Sequence, residues 1–412
     1  IRGWLDIVRG IEKPTGDMSM QEYAFRRATD ANPFPSMMGR VCPAPCEEGC
    51  NRNHVDDFVG INSVEQYIGD TAIENGFTYQ AGASTGKKVA VIGGGPAGMA
   101  AAYQLRRMGH DATVFEERAE LGGMMRYGIP GYRIPREKLA AEINRIVDMG
   151  VEVKTNTRVG KDISVDQLEK DFDAVLWALG CWTGRGLPVD GWEAASNCVD
   201  GLSFLEAFNN GRMKVTGKKL VCIGGGDTSI DVVSVARRIG FNADAGLPEA
   251  ILNNNETQDQ SLADNAVPCD ATLTSLFTKD KMMAAEHEIV DATEEGVTIY
   301  DGVMPLEVIL GDDGRATGLK VCDCTMDGMT PVPTEGTERV LEADIIVAAI
   351  GQGGDMEGVE DFANDRNLIN ADKNYQVIDK PGHFVAGDIV RPHLLTTAIG
   401  QASIAAESIN SY

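Results

Sequence analysis

Two stretches of this chain carry the same short pattern, and a chain that carries it twice has few ways to fold. The first, Lys87 to Glu117, reads KKVAVIGGGPAGMAAAYQLRRMGHDATVFEE. Lys87 to Gly93 is an apolar strand, and Gly93, Gly95 and Gly98 follow at G-x-G-x-x-G spacing. Pro96 to Met108 is predicted as a helix, with Ala97, Ala101, Leu105 and Met108 on one face. Asp111 to Glu116 is predicted as a second strand ending in an acid. Gly93 permits the tight turn, Gly95 lets a pyrophosphate approach the backbone, and Gly98 lets helix and strand pack closely. Pro96 and Ala97 open the helix, whose free N–H groups and positive dipole end suit phosphates. Glu116 stands where a carboxylate accepts hydrogen bonds from a ribose. Alone the glycine pattern is weak evidence. Between strand and helix, with an acid at this distance, it predicts a dinucleotide site.

The second stretch, Lys218 to Arg238, reads KKLVCIGGGDTSIDVVSVARR. A strand from Leu220 to Ile223 feeds Gly224, Gly225, Gly226, Asp227, Thr228 and Ser229, a second glycine turn ending in a small residue, and then a helix. Two such units predict two dinucleotides. The segment Phe241 to Asp270 contains no Lys or Arg, is rich in Asn, Asp and Gln, and falls before the next strand, Ala271 to Phe277. It reads as a solvated surface loop, or more sharply as a docking or oligomer-contact insertion, since long loops in compact domains are uncommon.

Composition narrows the classes. A length of 412 residues allows two or three domains, and 43% hydrophobic with 24% charged residues is ordinary for a globular protein. A net charge of −25, with no Lys/Arg cluster, argues against nucleic acid. An acidic electron carrier would need a local basic patch or an apolar docking face. Nine cysteines at irregular positions do not suggest a disulfide framework, which implies a reducing, cytoplasmic setting. No apolar run reaches the ~18 residues of a membrane span. The first residue is Ile1 rather than Met, so residues before it are expected to be missing.

Residues 1–82 read as helical, with amphipathic stretches from Trp4 to Ile11, Met18 to Thr29 and Val64 to Ile73. Between them Asn32-Pro33-Phe34-Pro35 is a rigid turn, followed by Cys42, Cys46 and Cys50 beside prolines. Three thiolates on a constrained loop look like part of an iron–sulfur site. After Glu116, Leu121 to Pro130 is a turn-rich segment including Gly122, Gly123 and Arg126, suited to lie along a flat aromatic ring system. Cys322 and Cys324 are expected at the end of a strand, in a structural role. Near the C-terminus, Gly387 and Asp388 offer an amide and a carboxylate to a sugar or ribityl chain. Thr397, opening the last helix, can bring N–H groups to a flavin carbonyl.

Taken in order, Asn32-Pro-Phe-Pro, Gly39-Arg-Val-Cys-Pro-Ala-Pro-Cys-Glu, Gly93-Gly-Gly-Pro-Ala-Gly, Arg126-Tyr-Gly-Ile-Pro, Gly224-Gly-Gly-Asp-Thr, Ala349-Ile-Gly-Gln, Gly387-Asp-Ile-Val-Arg and Thr397-Ala-Ile resemble the small subunit of glutamate synthase and its relatives. The resemblance covers nearly the whole chain. It implies an α/β fold of two Rossmann-like dinucleotide-binding domains with an N-terminal α-helical domain. The expected division is 1–82 helical, 83–195 and 356–412 FAD-binding, and 196–355 NAD-binding. It implies FAD on Gly93, Gly95, Pro96, Ala97, Gly98, Glu116, Gly122, Gly123, Arg126, Gly387, Asp388 and Thr397. It implies a nicotinamide dinucleotide on Gly224, Gly226, Asp227, Thr228 and Ser229. The family's hydride transfer between nicotinamide and flavin needs no obligatory side-chain acid or base. A disulfide reductase, a non-catalytic flavin scaffold and a glutamate synthase subunit proper are the competing readings.

Three departures from the family pattern shape the expectation. The family places a four-cysteine run ahead of the residues matching Ile1, and here no cysteine precedes Cys42, so a [4Fe–4S] cluster in this chain is not expected. In the family pattern Cys42 and Cys46 share one cluster with an acid or amide matching Glu65. Relatives that prefer NADPH carry Tyr-Arg-Arg where this chain has Phe277-Thr278-Lys279, so NAD is expected over NADP. The polar insertion is the third. Together they resemble the FAD-bearing, NAD-reducing subunits of tungsten aldehyde oxidoreductases, and imply an iron–sulfur electron-transfer subunit and a catalytic subunit as partners.

Overall fold

A computed structural model describes residues 1–55, 58–211, 218–239 and 269–412. The polar segment expected to be an insertion lies outside the described residues, apart from Cys269 and Asp270. The chain forms two compact units. One contains Ile1–Arg126, Arg133–Cys181 and Gly353–Tyr412; the other contains Tyr127–Tyr132 and Trp182–Gln352.

The first unit is built on a parallel sheet in the order His383–Val385, Ala174–Trp177, Lys88–Ile92, Asp111–Phe115, Glu152–Lys154. Val89 to Ile92 are all buried, as a strand covered on both faces requires. The helix Pro96–Arg107 follows, with Pro at its first position, where the missing N–H costs nothing. The last helix, Leu395–Ser411, packs against it. Buried alanines on both, among them Ala97, Ala101, Ala398, Ala402 and Ala405, allow close approach.

Among the described residues four longer α-helices precede this sheet, Arg2–Val8, Met20–Ala28, Pro35–Val41 and Ile61–Glu74, with the short Pro45–Glu48 between the last two. The second is capped by Ser19, whose hydroxyl accepts from the Glu22 N–H at 3.1 Å. Trp4, Ile7, Phe25 and Ile68 form a core shared by the first, second and fourth. The third and fourth cross closely at two glycines. A Cβ on Gly39 would stand 2.3 Å from the Gln66 nitrogen, and one on Gly69 2.1 Å from the Ser36 nitrogen.

The second unit has its own parallel sheet, in the order Cys198–Asp200, Ile345–Ala349, Lys219–Gly224, Asp270–Ser275, Thr298–Asp301. The helix Asp227–Ile239 buries Val232, Val233 and Val235 in its core. An antiparallel sheet joins Val303–Leu310 to Ala316–Asp327, which also pairs with Thr330–Pro333 and Arg339–Glu342. Cys322 and Cys324 therefore sit inside a strand rather than at its end, because the hairpin to Thr330–Pro333 extends it to Asp327. The segment after Gly123, expected as turns, contains a helical turn at Met124–Tyr127. No helix among the described residues is long and apolar enough to cross a membrane.

Candidate functional site

The glycine turn of the first unit is closed by backbone at Gly93 and Gly98 and by the Leu121 and Glu116 side chains at Gly94. Gly93 has φ +106°, and a Cβ there would stand 2.3 Å from the Ala178 carbonyl. A Cβ on Gly98 would lie 1.9 Å from the Gly93 oxygen, so only glycine lets the helix sit this close to its strand. Gly95 has the open side: the nearest atom to a Cβ there is the Gly123 Cα, at 3.7 Å. Gly123, at φ +50°, brings its own backbone against Gly95, and the Gly122 N–H donates to the Gly94 carbonyl at 2.9 Å. Arg126 braces this second loop, donating to the Leu121 carbonyl at 2.6 Å and pairing with Glu120 at 3.1 Å.

Glu116 is buried beside the turn. Its carboxylate accepts from the Gly94 N–H at 2.7 Å and the Arg118 N–H at 2.9 Å, and burial raises its pKa despite both bonds. Acceptor positions remain for a sugar hydroxyl. The C-terminal arm meets the same place. A Cβ on Gly387, at φ +84°, would stand 2.9 Å from the Ala97 side chain, so this turn abuts the start of the helix Pro96–Arg107. Asp388 follows, its carboxyl pushed up to about 6 by burial, with the His393 N–H at 3.2 Å. The Thr397 hydroxyl lies 2.8 Å from the His393 ring nitrogen Nδ1. The sequence reading missed Gln401, whose Oε1 accepts the Gly387 N–H at 2.8 Å. It sits one helical turn beyond Thr397, the only signal that pointed to it.

In the second unit a cavity of about 600 Å³ opens at the other glycine turn, lined by Gly224, Gly225, Gly226 and Thr228. Ser275, Phe277, Met283 and Met304 supply further walls. A Cβ on Gly224 would stand 2.6 Å from the Ala349 carbonyl, whereas one on Gly226 would meet nothing within 4 Å. The open position is again the one where a pyrophosphate approaches. Two expected contacts are placed differently. The Asp227 carboxylate accepts the Ala285 N–H at 3.2 Å. Ser229 is fully buried, its hydroxyl on the Gly226 carbonyl at 2.6 Å. It takes the packing role that Gly98 has in the first turn, and neither residue lines the cavity.

Cys42 ends the helix Pro35–Val41, and Ala44 between the first two cysteines has φ +53°, a strained geometry for a residue with a Cβ. The Asn62 side chain donates to the Cys42 carbonyl at 2.6 Å and Asn32 donates to Glu65 at 2.9 Å. Burial pushes up the thiols of Cys42 and Cys46, and the Thr396 side chain hydrogen-bonds Cys42. Among the described residues no three His, Cys, Asp or Glu side chains converge to hold a metal ion.

One dinucleotide cradle in each unit, the first with a ribityl-type arm of Gly387 and Asp388, defines an FAD-dependent NAD(P)H oxidoreductase. At Gly95 and Gly226 no atom stands closer than 3.7 Å to a Cβ position, so the backbone of each turn is open to a pyrophosphate. The chain belongs to the pyridine nucleotide-disulphide oxidoreductase family, which residues 87–402 match. Residues 14–77 match domain II of dihydropyrimidine dehydrogenase, a 4Fe–4S cluster domain. That match contradicts the expectation against a [4Fe–4S] cluster in this chain, which rested on the absence of a cysteine before Cys42.

The chain is 33% identical over 410 residues to the beta subunit of NADP(+)-dependent formate dehydrogenase from Moorella thermoacetica, covering 91% of this chain but 54% of that one. It thus spans about half the length of that relative. It is 33% identical to the small chain of NADPH glutamate synthase from Mycobacterium tuberculosis, covering 94% of this chain and 80% of that one. It is 32% identical to the PreT subunit of NAD-dependent dihydropyrimidine dehydrogenase from Escherichia coli K12, covering 92% and 82%. These relatives are NAD(P)-dependent subunits of larger enzymes, and the cofactor in their names is NADP for two and NAD for one.

Proposed function

We propose that this chain passes electrons between NAD(H) and an iron–sulfur subunit that serves a separate catalytic subunit. The observation that supports it most is the pair of open glycine positions, Gly95 and Gly226, each in its own strand–turn–helix unit. A flavin bound at the first supplies the exchange of a hydride pair for single electrons. Gly93, Gly95 and the N-terminus of the helix Pro96–Arg107 receive its pyrophosphate, Glu116 its ribose, and Gly387, Asp388 and Thr397 the remaining polar groups. Gly224, Gly226 and Thr228 receive the pyridine dinucleotide. NAD(H) is favoured because Thr278 stands where an arginine would grip a 2′-phosphate. Nine free thiols suit the expected cytoplasmic setting. An aldehyde oxidoreductase is the first catalytic partner to test.

The test is an anaerobic titration of the FAD-loaded chain with NADH and, separately, NADPH, following flavin absorbance. Bleaching mainly by NADH supports the reading. Bleaching mainly by NADPH returns the chain to the behaviour of a glutamate synthase subunit. Bound FAD with no bleaching by either leaves a flavin scaffold.

A further inference from the structure

His393 falls in the gap between the two motifs of the C-terminal arm, Gly387-Asp-Ile-Val-Arg and Thr397-Ala-Ile, yet it touches both. Its N–H donates to Oδ1 of Asp388 at 3.2 Å, and its ring nitrogen Nδ1 lies 2.8 Å from the Thr397 hydroxyl. On the other side of Asp388 the Cys181 thiol donates to the backbone carbonyl at 3.3 Å. His393 is exposed to solvent, while Asp388 and Thr397 are partly covered. Imidazole is the side chain whose charge changes between about pH 5 and 8. A neutral ring with its hydrogen on Nε2 accepts from the Thr397 hydroxyl at Nδ1 and so uses up the hydroxyl hydrogen. A ring that gains a proton at Nδ1 can only donate there. The hydroxyl then accepts, and its hydrogen is released for another acceptor.

We propose that His393 is a positioning residue that makes donation from Thr397 to the flavin depend on pH, so that its proton favours the reduced flavin. This rests on Gly387, Asp388 and Thr397 being the flavin arm, as in the proposed function. A hydride adds one negative charge to the bound ring system. A donated hydrogen bond and an imidazolium charge both hold an anion better than a neutral ring. Water supplies and removes the proton, since the ring is exposed. The titratable groups around it lie on each neighbouring stretch. On the arm the Asp388 carboxyl, pushed up to about 6 by burial, faces His393, and Arg391 is exposed in the same loop. The first turn of the last helix carries no acid. Toward the cysteine loop, Thr396 is bonded to the Cys42 thiol, whose charged neighbours are Glu65 and Glu47. Hydride exchange itself turns NADH and oxidised flavin into NAD+ and the anion of reduced flavin, and neither takes a proton from solvent nor gives one up. With the reduced flavin held as an anion, a dependence of that equilibrium on pH reports a group of the protein.

The FAD-loaded chain is equilibrated anaerobically at a fixed ratio of NADH to NAD+ from about pH 5.5 to about pH 8.5. The ratio of reduced to oxidised flavin is read from absorbance. In the wild type it is expected to rise about 5-fold toward the acid end, the worth of one hydrogen bond. His393→Gln, which cannot titrate, and Thr397→Val, which has no hydroxyl, should flatten that rise, and Thr397→Ser should keep it. A flat wild type overturns the proposal. So does a rise that persists undiminished in His393→Gln, which would belong to Asp388. If His393→Gln fails to fold or to hold FAD, the two Thr397 variants decide. FAD content of Asp388→Ala tests the arm separately. A fully loaded Asp388→Ala chain overturns the arm on which the proposal rests, whereas a flat wild type beside an Asp388→Ala chain that loses FAD overturns the switch alone.

Discussion

The carboxylate of Glu142 accepts the backbone N–H of Ser36 at 2.8 Å and that of Met37 at 3.2 Å. It caps the helix Pro35–Val41 from the helix Arg136–Val147, satisfying donors that a helix start leaves unpaired. Because that helix ends at Cys42, Glu142 fixes where the cysteine loop begins. Burial pushes Glu142 up to about 8 from 4.5. With the folded value raised, its contribution to stability is full below about 4.5 and is lost as pH rises through about 8. Glu142→Gln cannot titrate, so its unfolding midpoint should fall less than that of the wild type between these limits. Denaturant melts across that range check this, and identical slopes would refute it.

Gln401 holds the Gly387 turn through one bond to a buried N–H. Gln401→Ala should cost about 1–3 kcal/mol, the penalty for leaving such a donor unpaired. FAD content should fall with it, read as flavin absorbance per protein. A fully loaded variant would show that the arm is set by something else.

Gly226 and Gly95 make parallel predictions on separate cofactors. Gly226→Val fills the open position of the second turn. It should abolish reduction by NADH while the chain keeps its FAD. Loss of FAD from that variant would mean the two sites are assigned to the wrong cofactors.

Much of this was legible in the sequence because it rests on local patterns. Both glycine turns, the strands beside them and the helices after them are contiguous and periodic. Glu142 and Gln401 were not legible, since each acts on backbone far along the chain or around a helix face. The side-chain partners of Asp227 and Ser229 were not legible for a related reason. A motif gives positions on a turn, but whether a side chain faces the ligand depends on what else needs it, here the Ala285 N–H and the Gly226 carbonyl. The strand through Cys322 and Cys324 was cut short because its partner, Thr330–Pro333, contains two prolines that weaken a strand reading.

Thr278 tests the nucleotide preference directly. Thr278→Arg supplies a guanidinium after the strand Asp270–Ser275 and should raise kcat/KM for NADPH by about 10-fold with little change for NADH. Stopped-flow reduction by each nucleotide measures it. An unchanged ratio would place the 2′ position elsewhere.

The first unit is assembled from three separated stretches, and its last helix packs on a helix some three hundred residues earlier. During synthesis the glycine turn around Gly95 emerges early, but Gly387, Asp388 and Gln401 emerge only after the whole second unit. The proposed flavin cradle can thus close only after the second unit has been made. Newborn chains pass through a period in which the alanine face of the helix Pro96–Arg107 is uncovered. Contacts this distant in sequence form slowly and leave such surface open to aggregation. Flavin bound as Gly387 and Asp388 meet the first turn would join the two ends of this unit and cover that face.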